Sequence, residues 1–139
     1  MPSGTLYAPT RTADFESTKL NANAQHAKAT VTAGQSANID LTVADDHLAT
    51  GAWLVVVGGT AGDTVLLQVV DISGAFCGVP NTVLKTFVNW AVAPETSQQF
   101  EFNYPAKIYA GLTLRVVYTS TGGTNPFVAI NYKLHKVLV

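Results

Sequence analysis

Hydrophobic and polar residues alternate with a period of two along most of this chain. Ile39, Leu41 and Val43 alternate with Asn38, Asp40 and Thr42, and Phe100, Phe102 and Tyr104 alternate with Gln99, Glu101 and Asn103. From Lys107 to Tyr118 the apolar set is Ile108, Ala110, Leu112, Leu114, Val116 and Tyr118. Toward the C-terminus it is Ile130, Tyr132, Leu134 and Leu138, with Asn131, Lys133, His135 and Val137 opposite. Leu84, Val88, Trp90 and Val92 share a face, with Lys85, Phe87 and Asn89 behind them. Ala29, Val31 and Ala33 repeat the pattern with small residues. Successive side chains of a strand point to opposite sides, so each segment predicts a strand with one buried face. "AWLVVV", Ala52 to Val57, does not alternate in polarity and predicts a strand covered on both faces. "DTVLLQVVD", Asp63 to Asp71, follows across "GGTAGD", and the two are expected to pair as a central hairpin.

Helical periodicity is almost absent. One short turn of helix is expected at Asp45–Thr50, with Asp45 or Asp46 as its cap and Gly51 just past its end. Elsewhere the punctuation is turn chemistry: "TAGQSAN", "DISGAFCGVPN", "APETSQQ", "YPAK" and "TSTGGTNP". About eight short strands separated by such turns predict an all-β antiparallel sandwich, jelly-roll-like. The stretches Asp71–Pro80 and Val92–Gln98 are expected to cross between its sheets. The final strand is expected to pair with Lys107–Tyr118 across "TSTGGTNP". At 139 residues the chain reads as a single β-sandwich domain over 25–139, preceded by an N-terminal arm or edge segment over 1–24.

Composition sharpens this picture at one point. Only 12% of residues are charged and the net charge is −1, against about 25% charged in ordinary globular chains. A free monomer ordinarily carries more charge on its surface, so the chain is either a β-protein with a neutral polar surface of Thr, Ser, Asn and Gln or one whose surface is largely covered by neighbours in an assembly. Eight scattered basic residues make no basic footprint, so no nucleic-acid partner is expected. The longest apolar run is far shorter than a membrane helix, and the start "MPSGTLYAPTR" has no apolar signal region. The expectation is therefore no membrane and synthesis in the cytoplasm. Cys77 is a lone cysteine and forms no internal disulfide.

The residues that carry chemistry do not form a recognisable catalytic set. His26, His47 and His135 lack the spacing of a zinc site. Asp45, Asp46, Asp63 and Asp71 fall at strand ends, where Asp commonly builds turns. Cys77 has no neighbouring base, no G-x-S-x-G elbow occurs, and the glycine stretches lack a phosphate loop's Lys-Ser/Thr. No enzyme, cofactor or metal site is expected. Tyr109 and Arg115, on the polar face of the Lys107–Tyr118 strand, and Lys133 and His135, on the exposed face of the last, are the candidate interface residues.

"DDHLATGAWLVVV", "KIYAGLTLRVVYTSTGG" and "INYKLHKVL" resemble the strand phrasing of small structural proteins of tailed bacteriophages. The resemblance implies a β-sandwich virion component made in the host cytoplasm and assembled in symmetric copies, with a homotrimer favoured by three-fold lattice axes. Its implied partner is the major capsid protein or another virion protein, and its implied role is capsid decoration (cement). The alternatives are a tail- or fibre-associated carbohydrate- or receptor-binding module, marked by an exposed aromatic patch, and a small β-fold enzyme, marked by converging Asp and His.

Overall fold

The computed structural model describes residues 11–12, 26–92 and 96–138. Among the described residues nine strands follow one another: β1 Arg11–Thr12, β2 His26–Thr30, β3 Ser36–Thr42, β4 His47–Val57, β5 Thr64–Asp71, β6 Thr82–Ala91, β7 Thr96–Ile108, β8 Thr113–Thr119 and β9 Phe127–Leu138. One sheet has the order β1-β9-β4-β7, with β2 also on β9. The other has the order β3-β8-β5-β6. Every pairing is antiparallel.

The pairs β2·β9, β3·β8, β4·β7 and β5·β6 are nested about the β5–β6 connection. The chain is thus one long hairpin with its tip at residues 72–81. The additional pairings β4·β9 and β5·β8 roll that hairpin into two facing sheets. This is the jelly-roll arrangement. The expected all-β sandwich of about eight strands is what the structure shows.

The core lies between the sheets. Ala52, Leu54 and Val56 of β4 and Val128, Ile130, Tyr132 and Leu134 of β9 face Val65, Leu67 and Val69 of β5 and Leu114, Val116 and Tyr118 of β8. Alternation made the β8 and β9 faces legible. It also kept Ile39, Val43 and Ile108 inside.

Several expectations are corrected. The helix at Asp45–Thr50 is replaced by a bend and the start of β4, and no helix occurs among the described residues. His47 and Leu48 pair with Ile108 and Lys107 on one side and Lys136 and His135 on the other. That two-sided ladder outcompetes a single helical turn, whose nucleation is unfavourable. Asp46 caps another element: its Oδ1 accepts the Ala110 N–H at 2.8 Å.

β4 and β5 do not pair. They lie in different sheets, and "GGTAGD" is a crossing between them. Nor is "AWLVVV" covered on both faces, since Trp53 is 54% exposed and Val57 51% exposed. The stretch from Lys107 to Tyr118 is broken at Tyr109–Leu112, where the Leu112 N–H bonds the Tyr109 carbonyl and Gly111 has positive φ. The last strand pairs with β1, β2 and β4, not with β8. Residues 72–81 stay within one sheet, while β6 to β7 does cross, as expected. Phe87 does not face away. A bulge on β6 turns it toward the core, where it packs partly buried.

Of residues 1–24, only Arg11 and Thr12 lie within the described set. They sit opposite Leu138 and Val137.

Candidate functional site: two carboxylate staples, an apolar sheet face and an edge cleft

The four aspartates singled out in the sequence are structural in their contacts. Asp63, fully buried, precedes β5. Its carboxylate accepts the Thr60 N–H at 3.0 Å, the Tyr118 hydroxyl at 2.5 Å, and the N–H and hydroxyl of Thr121, both at 2.8 Å. Burial alone would push this carboxyl up, but the hydrogen bonds from Thr60, Tyr118 and Thr121 together outweigh it and hold the carboxyl below its ordinary value. Tyr118, in turn, is pushed well up, by burial and then by the bond to Asp63.

Asp71 ends the same strand. It accepts the N–H groups of Gly74, Phe76 and Cys77 at 3.1, 3.0 and 2.9 Å. The Cys77 bond lowers its carboxyl most. Burial opposes, and the Phe76 and Gly74 bonds add to the lowering. β5 therefore carries a buried, ionised carboxylate at each end, one stapling the 58–63 and 120–126 loops and the other the 72–81 tip. Asp45 pairs with Lys136 at 3.3 Å, and Asp46 holds Ala110.

His47 Nδ1 lies 2.7 Å from the Asp45 carbonyl, and His135 Nε2 lies 3.4 Å from the Thr50 hydroxyl. His26 lies farther along the first sheet, opposite Asn131. Among the described residues, no three His, Cys, Asp or Glu side chains gather as a metal site would require.

The four candidate interface residues fall on three separate parts of the molecule, with Lys133 and His135 together. Arg115 is on the outer face of the second sheet, 16% exposed, and its guanidinium grips Asp40 directly across β3 with two bonds of 2.8 and 2.9 Å. That bond raises its already high pKa. Tyr109 sits in the β7–β8 turn, stacked on Phe76 at 5.3 Å with the Lys107 ammonium 5.1 Å from its ring. Lys133 and His135 are on the outer face of the first sheet. Lys133 reaches the carboxylate of Glu101 on β7 at 2.8 Å. It does so across Gly51 of β4, which stands between Lys133 and Glu101 in register and has no side chain to block the way. Lys136 is exposed and ion-paired, so it carries no buried charge.

Among the described residues, three exposed features were missed by the sequence reasoning, two of them apolar and one of mixed polarity. The first is the outer face of the first sheet. In register, Trp53 lies beside Asn131, Val55 beside Ala129, and Val57 beside Phe127. Trp53, Val57 and Phe127 are 54, 51 and 39% exposed. A depression of about 290 Å³ there is lined by His26, Trp53, Val55, Ala129, Ile130 and Asn131. The Trp53 indole donates to Ser97 Oγ at 2.6 Å, which fixes the ring over the sheet.

The second feature is the hairpin tip at the opposite end of the sandwich, where Phe76 and Val79 are exposed beside Tyr109. The third is a cleft of about 420 Å³ between the edge strands β6 and β7, lined by Lys85–Val88, Gln99–Phe102 and Tyr104. The available signal for Trp53 was parity: it shares a face with Val55 and Val57 and not with the smaller Ala52. For Tyr104 it was the adjacent Pro105, which fits poorly inside a regular strand.

No protein-family model matches the sequence, and no curated protein matches it. Among solved structures, the chain is similar to the CBM22-1 and GH10 modules of Clostridium thermocellum endo-1,4-β-D-xylanase 10B complexed with xylohexaose. There the identity is 12% over 81% of this chain and 26% of that one, with a TM-score of 0.41. It is also similar to the VP2 subviral particle of infectious bursal disease virus, at 18% identity over 93% of this chain and 32% of that one, TM-score 0.34. The same virus's Gt strain gives 18% over 81% and 30%, TM-score 0.34. The chain spans about a third or less of these structures. At TM-scores below 0.5 the likenesses are distant, and function has to be read from the surfaces themselves.

Proposed function

We propose that this chain is a non-enzymatic virion structural protein, specifically a capsid decoration (cement) protein of a tailed bacteriophage that packs on and between coat subunits. One observation carries the reading. Two apolar surfaces, Trp53-Val55-Val57-Phe127 on the first sheet and Phe76-Val79 at the hairpin tip, lie exposed toward opposite ends of a chain with only 12% charged residues. Contiguous exposed apolar patches mark association sites, and a subunit with a neighbour on each side needs two. The phage assignment rests on the sequence resemblance.

In this reading the first-sheet face docks on the coat and the tip meets an adjacent copy about a three-fold axis, giving a homotrimer on the particle. The partner is the major capsid protein, and neither nucleic acid nor membrane takes part. The deciding experiment is mass spectrometry of purified particles, with cryo-electron microscopy to place the density. The reading expects stoichiometric copies at local symmetry axes, and loss of heat resistance in particles lacking the protein. Its absence from purified particles overturns the proposal.

A further inference from the structure

The open side of the sandwich, where the edge strands β6 and β7 face each other, is irregular on both strands. On β6, Phe87 is an extra residue between Val88 and Thr86, which pair with the consecutive Leu67 and Gln68. Leu84 is a second extra residue, opposite the step from Val69 to Val70. On β7, the four residues Phe102 to Pro105 stand opposite the single Thr50 of β4. Bulges re-aim side chains and occur preferentially at sheet edges and beside binding sites. Here they converge on one place, the cleft of about 420 Å³ lined by Lys85–Val88, Gln99–Phe102 and Tyr104.

The re-aimed rings have a definite arrangement. Phe87 and Phe102 stack with centroids 4.4 Å apart and planes within 9°, joining the two sheets at the base of the cleft. Tyr104, 82% exposed, lines the same cleft. The polar lining comprises an amide and a hydroxyl, Gln99 and Thr86, together with one cation and one anion, Lys85 and Glu101. The anion is already neutralised by Lys133 at 2.8 Å.

We propose that this cleft binds a neutral carbohydrate chain. A sugar ring has an apolar face of C–H groups and a rim of hydroxyls. It needs an aromatic platform with uncharged or balanced hydrogen-bonding groups around it, and this lining supplies both. A cationic ligand meets Lys85, and for an anionic one that single ammonium is already engaged over the Phe87 ring, 5.5 Å from its centroid. A peptide adding as a further strand needs an unbroken ladder edge, and the bulges interrupt β6 twice and β7 over Phe102–Pro105. The volume falls within the range of small-molecule sites. The inference stands on the cleft alone and is independent of the assembly role.

The test is isothermal titration calorimetry of the full chain with soluble neutral oligosaccharides of the glucan, xylan, mannan and galactan series. Sialylated and sulfated glycans and an extended apolar peptide form the other arms. At least one neutral series is expected to bind, and Tyr104→Ala to weaken it about tenfold or more. Tyr104→Phe keeps binding, because it keeps the platform, and Trp53→Ala, on another face, leaves it unchanged. Tyr104 is exposed, so an unaltered melting temperature separates lost binding from lost folding. Failure of every neutral series to bind overturns the proposal. So does binding confined to the anionic glycans or the peptide, and so does neutral binding that survives Tyr104→Ala.

Discussion

At the scale of the residue, β5 is held by a carboxylate at each end. Asp63 accepts four hydrogen bonds, has no ion partner among the described residues, and takes one of those bonds from the buried Tyr118 hydroxyl. Asp63→Ala therefore leaves a buried hydroxyl and backbone donors unpaired, and is expected to cost about 3 kcal/mol in urea unfolding. Both carboxyls titrate below their ordinary value of 3.8 in the folded chain. Their stabilisation is therefore fully present above that value and is lost as the pH falls through the lower folded-state values. Melting temperature followed from about pH 6 to about pH 2 should drop most steeply below about pH 4, and less steeply in Asp63→Asn. A midpoint insensitive to acid would show that these groups do not carry the loops. Tyr132 presents the opposite case. It is 2% exposed, and its hydroxyl has no hydrogen-bond partner among the described residues. Tyr132→Phe is expected to be neutral or to raise stability by up to about 1 kcal/mol. A clear loss would reveal a partner for that oxygen.

At the scale of the element, β4 shows how much a strand's neighbours decide. It is an interior strand, paired with β7 and β9 along its length, with an irregularity at Thr50 in both ladders. Gly51 follows that irregularity. A Cβ built there would lie 2.5 Å from the Phe100 carbonyl oxygen of β7, which is rigid backbone. Gly51→Ala is therefore expected to push β7 away, to cost about 2 kcal/mol, and to weaken the Lys133–Glu101 pair that crosses over it. Chemical denaturation measures the first effect, and the Lys133 side-chain NMR resonances report the second. Gly74 is fixed for a related reason: its φ is +77°, and a Cβ would meet Pro80 N at 2.7 Å, so the Asp71-capped tip requires glycine there.

Much of this level was legible. The period-two faces of β3, β8 and β9 follow from local sequence, and so does the break at "TSTGGTNP", although it crosses between sheets and closes no hairpin. The misread strand faces share one cause. The turn at Tyr109–Leu112 and the bulges of β6 and β7 each shift or interrupt alternation, and a shift in parity looks the same in sequence as a continued strand with one unusual residue. At Asp45–Thr50 the helix signal comes from Asp at one end and Gly51 just past the other. In the fold those signals serve a bend, and Asp46 caps the β7–β8 turn.

At the scale of the whole molecule, the long hairpin rolled into two sheets explains where the exposed apolar surface lies. The roll makes β6 and β7 open edges and turns Trp53, Val55 and Val57 outward. Trp53→Ser combined with Val57→Thr replaces side chains that are more than half exposed, so stability should change by no more than about 0.5 kcal/mol. Association with particles, measured by co-sedimentation, is expected to fall about tenfold or more, because a desolvated Trp is a typical anchor of binding energy. Unchanged association would move the docking surface elsewhere, with the Phe76-Val79 tip the next to mutate.

The sequence by itself determined that this protein is all-β, which side of most strands is buried, where the chain turns, and that no recognisable catalytic motif is present. These properties are local. Alternation is set by strand geometry, and turns are set by the residues at the turn. Only the tertiary structure decided which strands pair, because a period-two pattern specifies the buried face of a strand and nothing about its two hydrogen-bonding edges. It alone separated β4 from β5, placed β9 between β2 and β4, and brought the bulged edges β6 and β7 together around one cleft. It also divided Tyr109, Arg115, Lys133 and His135 among different surfaces, since residues equally exposed in pattern are neighbours only when the ladder makes them so.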